Sequence, residues 1–231
     1  MAELTIVMPV YNEEEIISVV VEDWVSHLRR LGVGFCLSLY NDGSVDKSLE
    51  VMKDLEARYS EVLVVDQPNS GHGPTILKGY REAASEWIFQ VDSDNEMSPK
   101  YFFRLWDERH GYDLLLGRRV DRIQSLSRKL LSRVSRILVS RLFAPGVSDA
   151  NAPYRLMRGK CFASIYERIP GNTFAPNLMV SGLAARENVR IHEVDVPVSL
   201  RQTGEFSLQN IKLFRAAILS FWQTLKMAMR R

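Results

Sequence analysis

Leu4-Thr-Ile-Val-Met-Pro-Val10, followed at once by Tyr11-Asn12-Glu13-Glu14-Glu15, is the stretch from which the fold is read. A short, almost wholly apolar run is what a parallel strand buried on both faces requires. Asn12 stands where a helix N-cap is needed, and the three glutamates put negative charge on the first helical turn, where the helix dipole favours it. Asn12 and Glu15 have the spacing of a capping box. The predicted helix runs to about Arg30, and Gly32 and Gly34 end it.

Working outward, the same unit repeats. A strand over Phe35–Tyr40 meets the turn Asn41-Asp42-Gly43-Ser44, and a helix follows from Val45 to about Arg58. A strand from Val62 to Asp66 leads into the glycine-rich turn Asn69-Ser-Gly-His-Gly-Pro74, with Pro74 suited to the first position of the next helix. A fourth strand, Trp87–Val91, delivers Asp92. Strands alternating with helices across short links predict an α/β fold, a mostly parallel central sheet flanked by helices. Ligands of such sheets sit beyond the carboxyl ends of the strands. The residues placed there are Tyr11-Asn12-Glu13, Asn41-Asp42-Gly43, Asp66-Gln67 and Asp92-Ser93-Asp94, an acid-bearing rim.

After a fifth strand at Asp113–Gly117 the pattern changes. Residues 122–143 form an amphipathic helical pattern, with Leu126, Leu130, Val134, Ile137 and Leu138 on one face and Arg122, Lys129, Arg133 and Arg136 on another stripe. Strand character returns over 186–200, and Ser207–Met229 is again amphipathic. The expected division is one domain over 1–205, in two halves at 1–117 and 118–205, then a C-terminal amphipathic helix over 206–231.

With 231 residues, 46% hydrophobic and 25% charged, the composition is that of a globular protein able to bury a sizeable core. No secretory signal peptide and no transmembrane helix are expected. Cys36 and Cys161 lack metal-ligand spacing and read as reduced thiols of a cytoplasmic protein. The net charge of +2 conceals an uneven distribution, because residues 118–141 and 205–231 are strongly basic while the remainder is acidic. Each basic amphipathic stretch reads either as a helix lying on an anionic membrane surface or as an ordinary helix with a solvated basic face. No nucleic-acid motif accompanies the charge, so nucleic acid is not an expected partner.

Asp92-Ser93-Asp94 carries the chemistry. Two carboxylates one residue apart at a strand end can share Mg²⁺ or Mn²⁺ with a diphosphate, and the cation offsets charge that builds on the leaving group. A bare Asp-x-Asp is common in surface turns. Its position at a fourth strand end, beside an acidic turn after the second, is what singles it out. His72, with no second His or Cys beside it, reads as a bystander, and Gly71-x-Gly73 without Gly-Lys-Ser/Thr is a weak phosphate-loop signal.

In order and spacing, Pro9-Val-Tyr-Asn-Glu13, Asn41-Asp-Gly-Ser44, Asn69-x-Gly71-x-Gly73, Val91-Asp-Ser-Asp94 and Gly117-Arg-Arg119 resemble the large inverting family of GT-A glycosyltransferases. Within it the chain is most similar to the polyprenyl-phosphate sugar synthases of the dolichol-phosphate mannose synthase type. The resemblance implies a GT-A fold, a nucleotide-diphosphate sugar donor, Mg²⁺ or Mn²⁺, and a polyprenyl-phosphate-type lipid acceptor. It implies that Pro9, Tyr11 and Glu13 line the nucleoside pocket, with Asp42 hydrogen-bonding the base, Asp92 on the ribose-diphosphate, and Asp92, Asp94 and Glu96 on the metal. Arg119 is expected to face phosphate, with Arg118, Arg133 and Arg155 on the acceptor or phosphate side. Asp149-Ala-Asn-Ala-Pro-Tyr-Arg155 resembles the segment beside the acceptor, and Arg201-Gln-Thr-Gly-Glu205 resembles an Arg-x-x-Gly-Glu motif, which makes Asp149, Arg119 and Arg201 the catalytic candidates. The chain departs from the pattern at Asn41, an acid in the synthases, and at Phe206-Ser207-Leu208, where a Ser-Lys pair is usual.

An anionic phosphate acceptor needs little base catalysis. A saccharide or other hydroxyl acceptor needs a carboxylate base, and Asp149 is the candidate. Two further alternatives are a sugar-phosphate nucleotidyltransferase, for which the first turn lacks the glycines, and an inactive donor-fold protein at a membrane. The expected location is peripheral on the cytoplasmic face of a membrane, held directly, through a membrane-anchored partner or as a homo-oligomer.

Overall fold

In the computed structural model, residues 2–120, 146–187 and 189–199 are described. Arg133, Arg201, the 122–143 and 207–229 amphipathic patterns and the Arg201–Glu205 motif lie outside the described residues.

The donor-side elements follow the sequence pattern: β1 (Leu4–Val10), α1 (Ile17–Arg29), β2 (Phe35–Asp42), α2 (Ser48–Arg58), β3 (Val62–Gln67), α3 (His72–Glu82) and β4 (Trp87–Gln90). A 3₁₀ turn at Pro99–Tyr101 opens α4 (Phe102–Glu108), and β5 (Leu114–Val120), β6 (Arg155–Arg158), α5 (Gly159–Arg168), α6 (Pro176–Arg186) and β7 (Ile191–Pro197) complete the described chain. The strands form one sheet in the order β3-β2-β1-β4-β6-β5-β7. Every described pairing is parallel except those of β6, which runs against both β4 and β5. The single sheet spans both halves expected from the sequence, and β5 itself crosses residues 117 and 118.

All seven residues of β1 are buried, because helices cover both faces of the strand. Its side chains alternate between two cores. Leu4, Ile6, Met8 and Val10 enter one core with α1, α2 and α4, whereas Val7 enters the other with α3, α5 and α6. On the first face Trp24 of α1 packs its ring 5.4 Å from Phe89 and 6.0 Å from both Phe102 and Tyr154.

The helix start at Asn12 is a correction. α1 begins at Ile17, Ile16 precedes it without a side-chain cap, and Asn12 takes a positive φ of 54°. Its Oδ1 accepts from the Val45 amide at 2.9 Å and its own amide donates to Ser44 Oγ at 3.1 Å. Asn12 therefore joins the β1 and β2 turns instead of capping a helix. Pro74 is likewise the third residue of α3, still within the turn whose amides need no helical partner.

At the far edge of the sheet Asp113 accepts two hydrogen bonds from Arg190, at 2.8 and 2.9 Å, with Arg158 3.7 Å away. The Arg190 hydrogen bonds hold its carboxyl below the usual range against the upward push of burial. A folded value below the unfolded one contributes stability that is present above the unfolded value and lost as pH falls through the folded one. Asp113→Asn should thus cost about 1 kcal/mol at neutral pH, a figure kept small because Arg190 is largely exposed. The gap should close below about pH 4. Urea unfolding at pH 7 and pH 3 checks this, and an equal gap at both would refute it.

Candidate functional site

The carboxyl ends of β1, β2, β3, β4 and β5 lie on one rim, since these strands share a direction. Because β6 is reversed, the residues before it, 146–154, reach the same rim. This brings Asp92, at the end of β4, near Arg119 and Asp149.

Asp92 is held from two sides. Gln90 Nε2 donates to its Oδ1 at 2.8 Å, and His72 Nε2 lies 3.0 Å from the same oxygen. Among the described residues both contacts fall on Oδ1, which leaves Oδ2 for a ligand. Burial pushes the Asp92 carboxyl up, but His72, Arg119 and Gln90 outweigh it and hold the group below its ordinary value. Burial pulls the His72 imidazole down, and Asp92, Asp94 and Asp42 more than restore it, so the ring is raised. His72 keeps 57% of its side-chain surface and Asp92 28%. Protein therefore crowds the pair on one side while solvent reaches it on the other.

His72, read from the sequence as a bystander, is instead in contact with Asp92. It is the first residue of α3, following Gly71 with φ 92°, so the pair sits at a helix N-terminus, where positive potential suits a diphosphate. The only local signal was its place in the glycine-rich turn; its partner is twenty residues away.

Asp94 Oδ1 accepts from the Glu96 amide at 3.1 Å, closing the turn after β4. Glu96 O accepts from the Ser199 amide and Ser98 O from the Tyr154 hydroxyl, which anchor that turn to the segments before β6 and after β7. Among the described residues no three His, Cys, Asp or Glu side chains gather at one metal point, so the expected Asp92–Asp94–Glu96 trio is not assembled. The Asp92–Asp94 pair still fits Mg²⁺ or Mn²⁺, which take one or two carboxylates and complete their shell with phosphate oxygens and water. Three carboxylates already act on one imidazole there, the excess of negative charge a hard cation would offset.

Arg119 and Asp149 form a two-armed pair, with Nε and Nη2 each 2.8 Å from a carboxylate oxygen. Burial pulls the guanidinium down, yet Asp149, and beyond it Asp92 and Glu96, hold it raised. Arg119 thus lies within electrostatic reach of Asp92 and Glu96. Asp149 is buried and committed to that pair, while Glu193 accepts from its backbone amide at 3.0 Å.

Three assignments change. Arg155 is 0% exposed, and its guanidinium donates to the carbonyls of Ala150, Ala152 and Asn177. It cannot contact an acceptor; it ties the 149–154 segment to α6. Arg118, next to Arg119 on a strand, points to the opposite face and pairs with Asp195 at 2.5 and 2.9 Å. Asp42 is 4% exposed and receives Gln67, the Ser70 amide and hydroxyl, and the Gly71 amide. It anchors the glycine-rich turn, so its carboxylate is already engaged where a base contact was expected. Pro9 is buried in register with Tyr40, Glu13 is buried with its amide on Ser48 Oγ at 2.8 Å, and Tyr11 is 39% exposed at the strand exit.

The family described as "Glycosyl transferase family 2" matches residues 5–166. An undecaprenyl-phosphate 4-deoxy-4-formamido-L-arabinose transferase of Pectobacterium carotovorum subsp. carotovorum (strain PC1) is 27% identical over 213 residues, 91% of this chain and 64% of that protein. The transferase of the same description from Photorhabdus laumondii subsp. laumondii is 25% identical over 214 residues, with the same coverage. The chain thus spans 64% of the length of these curated relatives. Among solved structures, glucosyl-3-phosphoglycerate synthase from Mycobacterium tuberculosis in complex with Mn²⁺, UDP and phosphoglyceric acid superposes with TM-score 0.73 at 16% identity, covering 99% of this chain and 79% of that one. A mannosyltransferase from Pyrobaculum calidifontis in complex with GDP-Man and Mn²⁺ gives TM-score 0.68 at 12% identity, covering 97% and 64%. At these identities the likeness shows the fold, and it is the GT-A arrangement that the sequence implied.

Proposed function

Because this chain belongs to glycosyl transferase family 2, we propose that it transfers a sugar from a nucleotide-diphosphate donor to a polyprenyl-phosphate-type lipid acceptor, with inversion. The observation that carries this reading is the rim itself: Asp92, held through Oδ1, close enough to the Arg119–Asp149 pair to feel the charge of Arg119. The curated relatives that are undecaprenyl-phosphate sugar transferases support the acceptor class. Structural neighbours in complex with UDP or GDP-Man and Mn²⁺ support the donor class and the cation.

In this reading the donor diphosphate lies over the N-terminus of α3, between His72 and Arg119. Asp92 and Asp94 would hold Mg²⁺ or Mn²⁺, and the cation would supply charge stabilisation for the departing diphosphate. A phosphate oxygen of the acceptor attacks the anomeric carbon, and the bond from that carbon to the diphosphate oxygen breaks on the opposite face. No proton has to move. The protein contributes alignment and positive charge.

The state of Asp149 favours this acceptor over a hydroxyl. A carboxylate locked to Arg119 by two hydrogen bonds is a poor proton acceptor, so Asp149 serves to aim Arg119. Asp149→Asn should then lower kcat roughly 10- to 100-fold through misplacement of Arg119. The pH profile of kcat should keep its shape. Loss of an acidic limb in that profile would instead mark Asp149 as a base and return the hydroxyl-acceptor alternative.

The described residues include no helix long and apolar enough to cross a membrane. The basic segments 122–143 and 207–229 are our candidates for contact with the anionic, cytoplasmic face of a bilayer, where a lipid-phosphate acceptor would be met. The deciding experiment is a screen of nucleotide sugars with Mn²⁺ and undecaprenyl phosphate in mixed vesicles. Lipid-dependent release of nucleoside diphosphate is the expected result. Turnover indifferent to the lipid would refute the acceptor, and no turnover of any donor would refute the whole reading.

A further inference from the structure

Behind Asp92, on the side away from the cleft, a glutamine stands where an apolar side chain would be ordinary. Gln90 is 0% exposed. It pairs in register with Val7 of β1 and with Arg155 of β6, so these side chains share a row on the sheet face covered by α3 and α6. That face is otherwise built from Ile76, Leu77, Met179, Val180 and similar residues. A buried amide there must find partners or destabilise the fold.

It has partners at both ends, and their chemistry fixes the direction of every proton. An ionised carboxylate only accepts, so Gln90 must present its NH₂ to Asp92, 2.8 Å away. Its carbonyl then faces Asn177, whose NH₂ donates at 2.9 Å. The carbonyl of Asn177 is left to take the hydroxyl proton of Tyr80 at 2.7 Å, shorter than the 3.3 Å from that hydroxyl to Gln90 Oε1. Burial raises the Tyr80 hydroxyl above its ordinary value, so that proton stays in place. The result is a one-way chain, Tyr80 to Asn177 to Gln90 to Asp92, in which each bond polarises the next toward the carboxylate. The backbone carbonyl of Asn177 in turn accepts from Arg155, which holds the carbonyls of Ala150 and Ala152 beside Asp149.

We propose that Gln90 and Asn177 are positioning residues for the transfer: they pin Asp92 Oδ1 inward, turn Oδ2 to the ligand, and set the spacing between Asp92 and the Arg119–Asp149 pair. The proposal rests on the glycosyl-transfer reading above. Neither residue touches the cleft; each acts through the group it holds.

The test uses the full chain with the donor that gives turnover, undecaprenyl phosphate and Mn²⁺. Gln90→Met keeps the volume and removes both bonds, Gln90→Glu keeps the shape and replaces the donor with an acceptor, and Asn177→Leu breaks the next link. All three should lower kcat roughly 10- to 100-fold with the donor KM within about threefold, the mark of misplacement and not of lost binding. The double variant Gln90→Met/Asn177→Leu should be scarcely worse than either single change, because both act on one chain. Amide hydrogen exchange across 149–154 should rise in Gln90→Met and Asn177→Leu at a temperature where both remain folded. A kcat within twofold of the parent, additive losses, a Gln90→Glu variant that works normally, or losses that track the unfolded fraction would each overturn the proposal. Should the parent transfer no sugar, the reading itself fails. Exchange then decides the link alone, upheld if 149–154 loosens in Gln90→Met and overturned if it does not.

Discussion

Replacing Asp92 with Asn should all but abolish sugar transfer, with an expected loss of about 1000-fold or more in kcat/KM. The substitution keeps the size of the side chain and can keep both contacts to its inner oxygen. It changes what faces the ligand: an NH₂ group replaces Oδ2 and offers protons to a cation. It also removes the negative charge that holds the His72 imidazole and the Arg119 guanidinium raised, so His72 loses the first of the groups that favour its charged form. Because Asp92 is only partly buried, stability should change by about 1 kcal/mol or less. Chelation of the unmodified protein should bring turnover to a similar floor, reversed by Mn²⁺, and calorimetry should show Mn²⁺-dependent UDP binding lost in Asp92→Asn. An Asp92→Asn rate within tenfold of the parent would dispose of metal-assisted transfer at this site.

Gly73→Ala is expected to be the most damaging single methyl added to the donor side. A Cβ at that position would lie 2.3 Å from the carbonyl oxygen of Thr173 and 2.6 Å from that of Phe174. Both obstacles are backbone, and neither can rotate aside. The start of α3 must lift from the 173–174 loop, which carries His72 away from Asp92. We expect a loss of about 3 kcal/mol, at the upper end of ordinary overpacking. That corresponds to a fall in Tm of roughly 6–12 °C for a domain of this size. Gly111→Ala, where an added Cβ meets nothing within 4 Å, is the control and should change little. Equal melting of the two variants would show that α3 and the loop separate freely.

The donor side of the fold was legible because β1 to β4 are apolar runs separated by turn residues, a signal local to each segment. What escaped was decided by contacts between distant segments. Asn12 has the composition of a cap, but its oxygen serves an amide thirty-three residues on. β6 is Arg-Leu-Met-Arg, four residues with charged ends and no apolar run to announce it. α6 is buried on nearly every side, so it lacks the stripe by which an amphipathic helix is recognised. At the candidate site, motif order was enough to place Asp92 and Arg119 on one rim, where the structure has them within electrostatic reach of each other. The pairing of Asp149 with Arg119 and the carbonyl cage around Arg155 were not, since arginine in a sequence suggests an anionic partner and only the structure shows neutral oxygens. His72 and Gln90 escaped for the same reason: what each does is set by hydrogen bonds to side chains that no local pattern announces, Asp92 for both and Asn177 for Gln90.

The reversal of β6 also bears on how the protein is made. Until β6 arrives, β4 is the outer strand of the nascent sheet, with one row of amides and carbonyls unpaired. On a ribosome moving at about 5–20 residues per second, that edge waits several seconds for residues 155–158 to be synthesised. An apolar strand left open for that long is a template for the wrong neighbour. The glutamine and the following acid at its end, Gln90 and Asp92, would then guard the newborn chain against association with other chains before they ever meet a substrate.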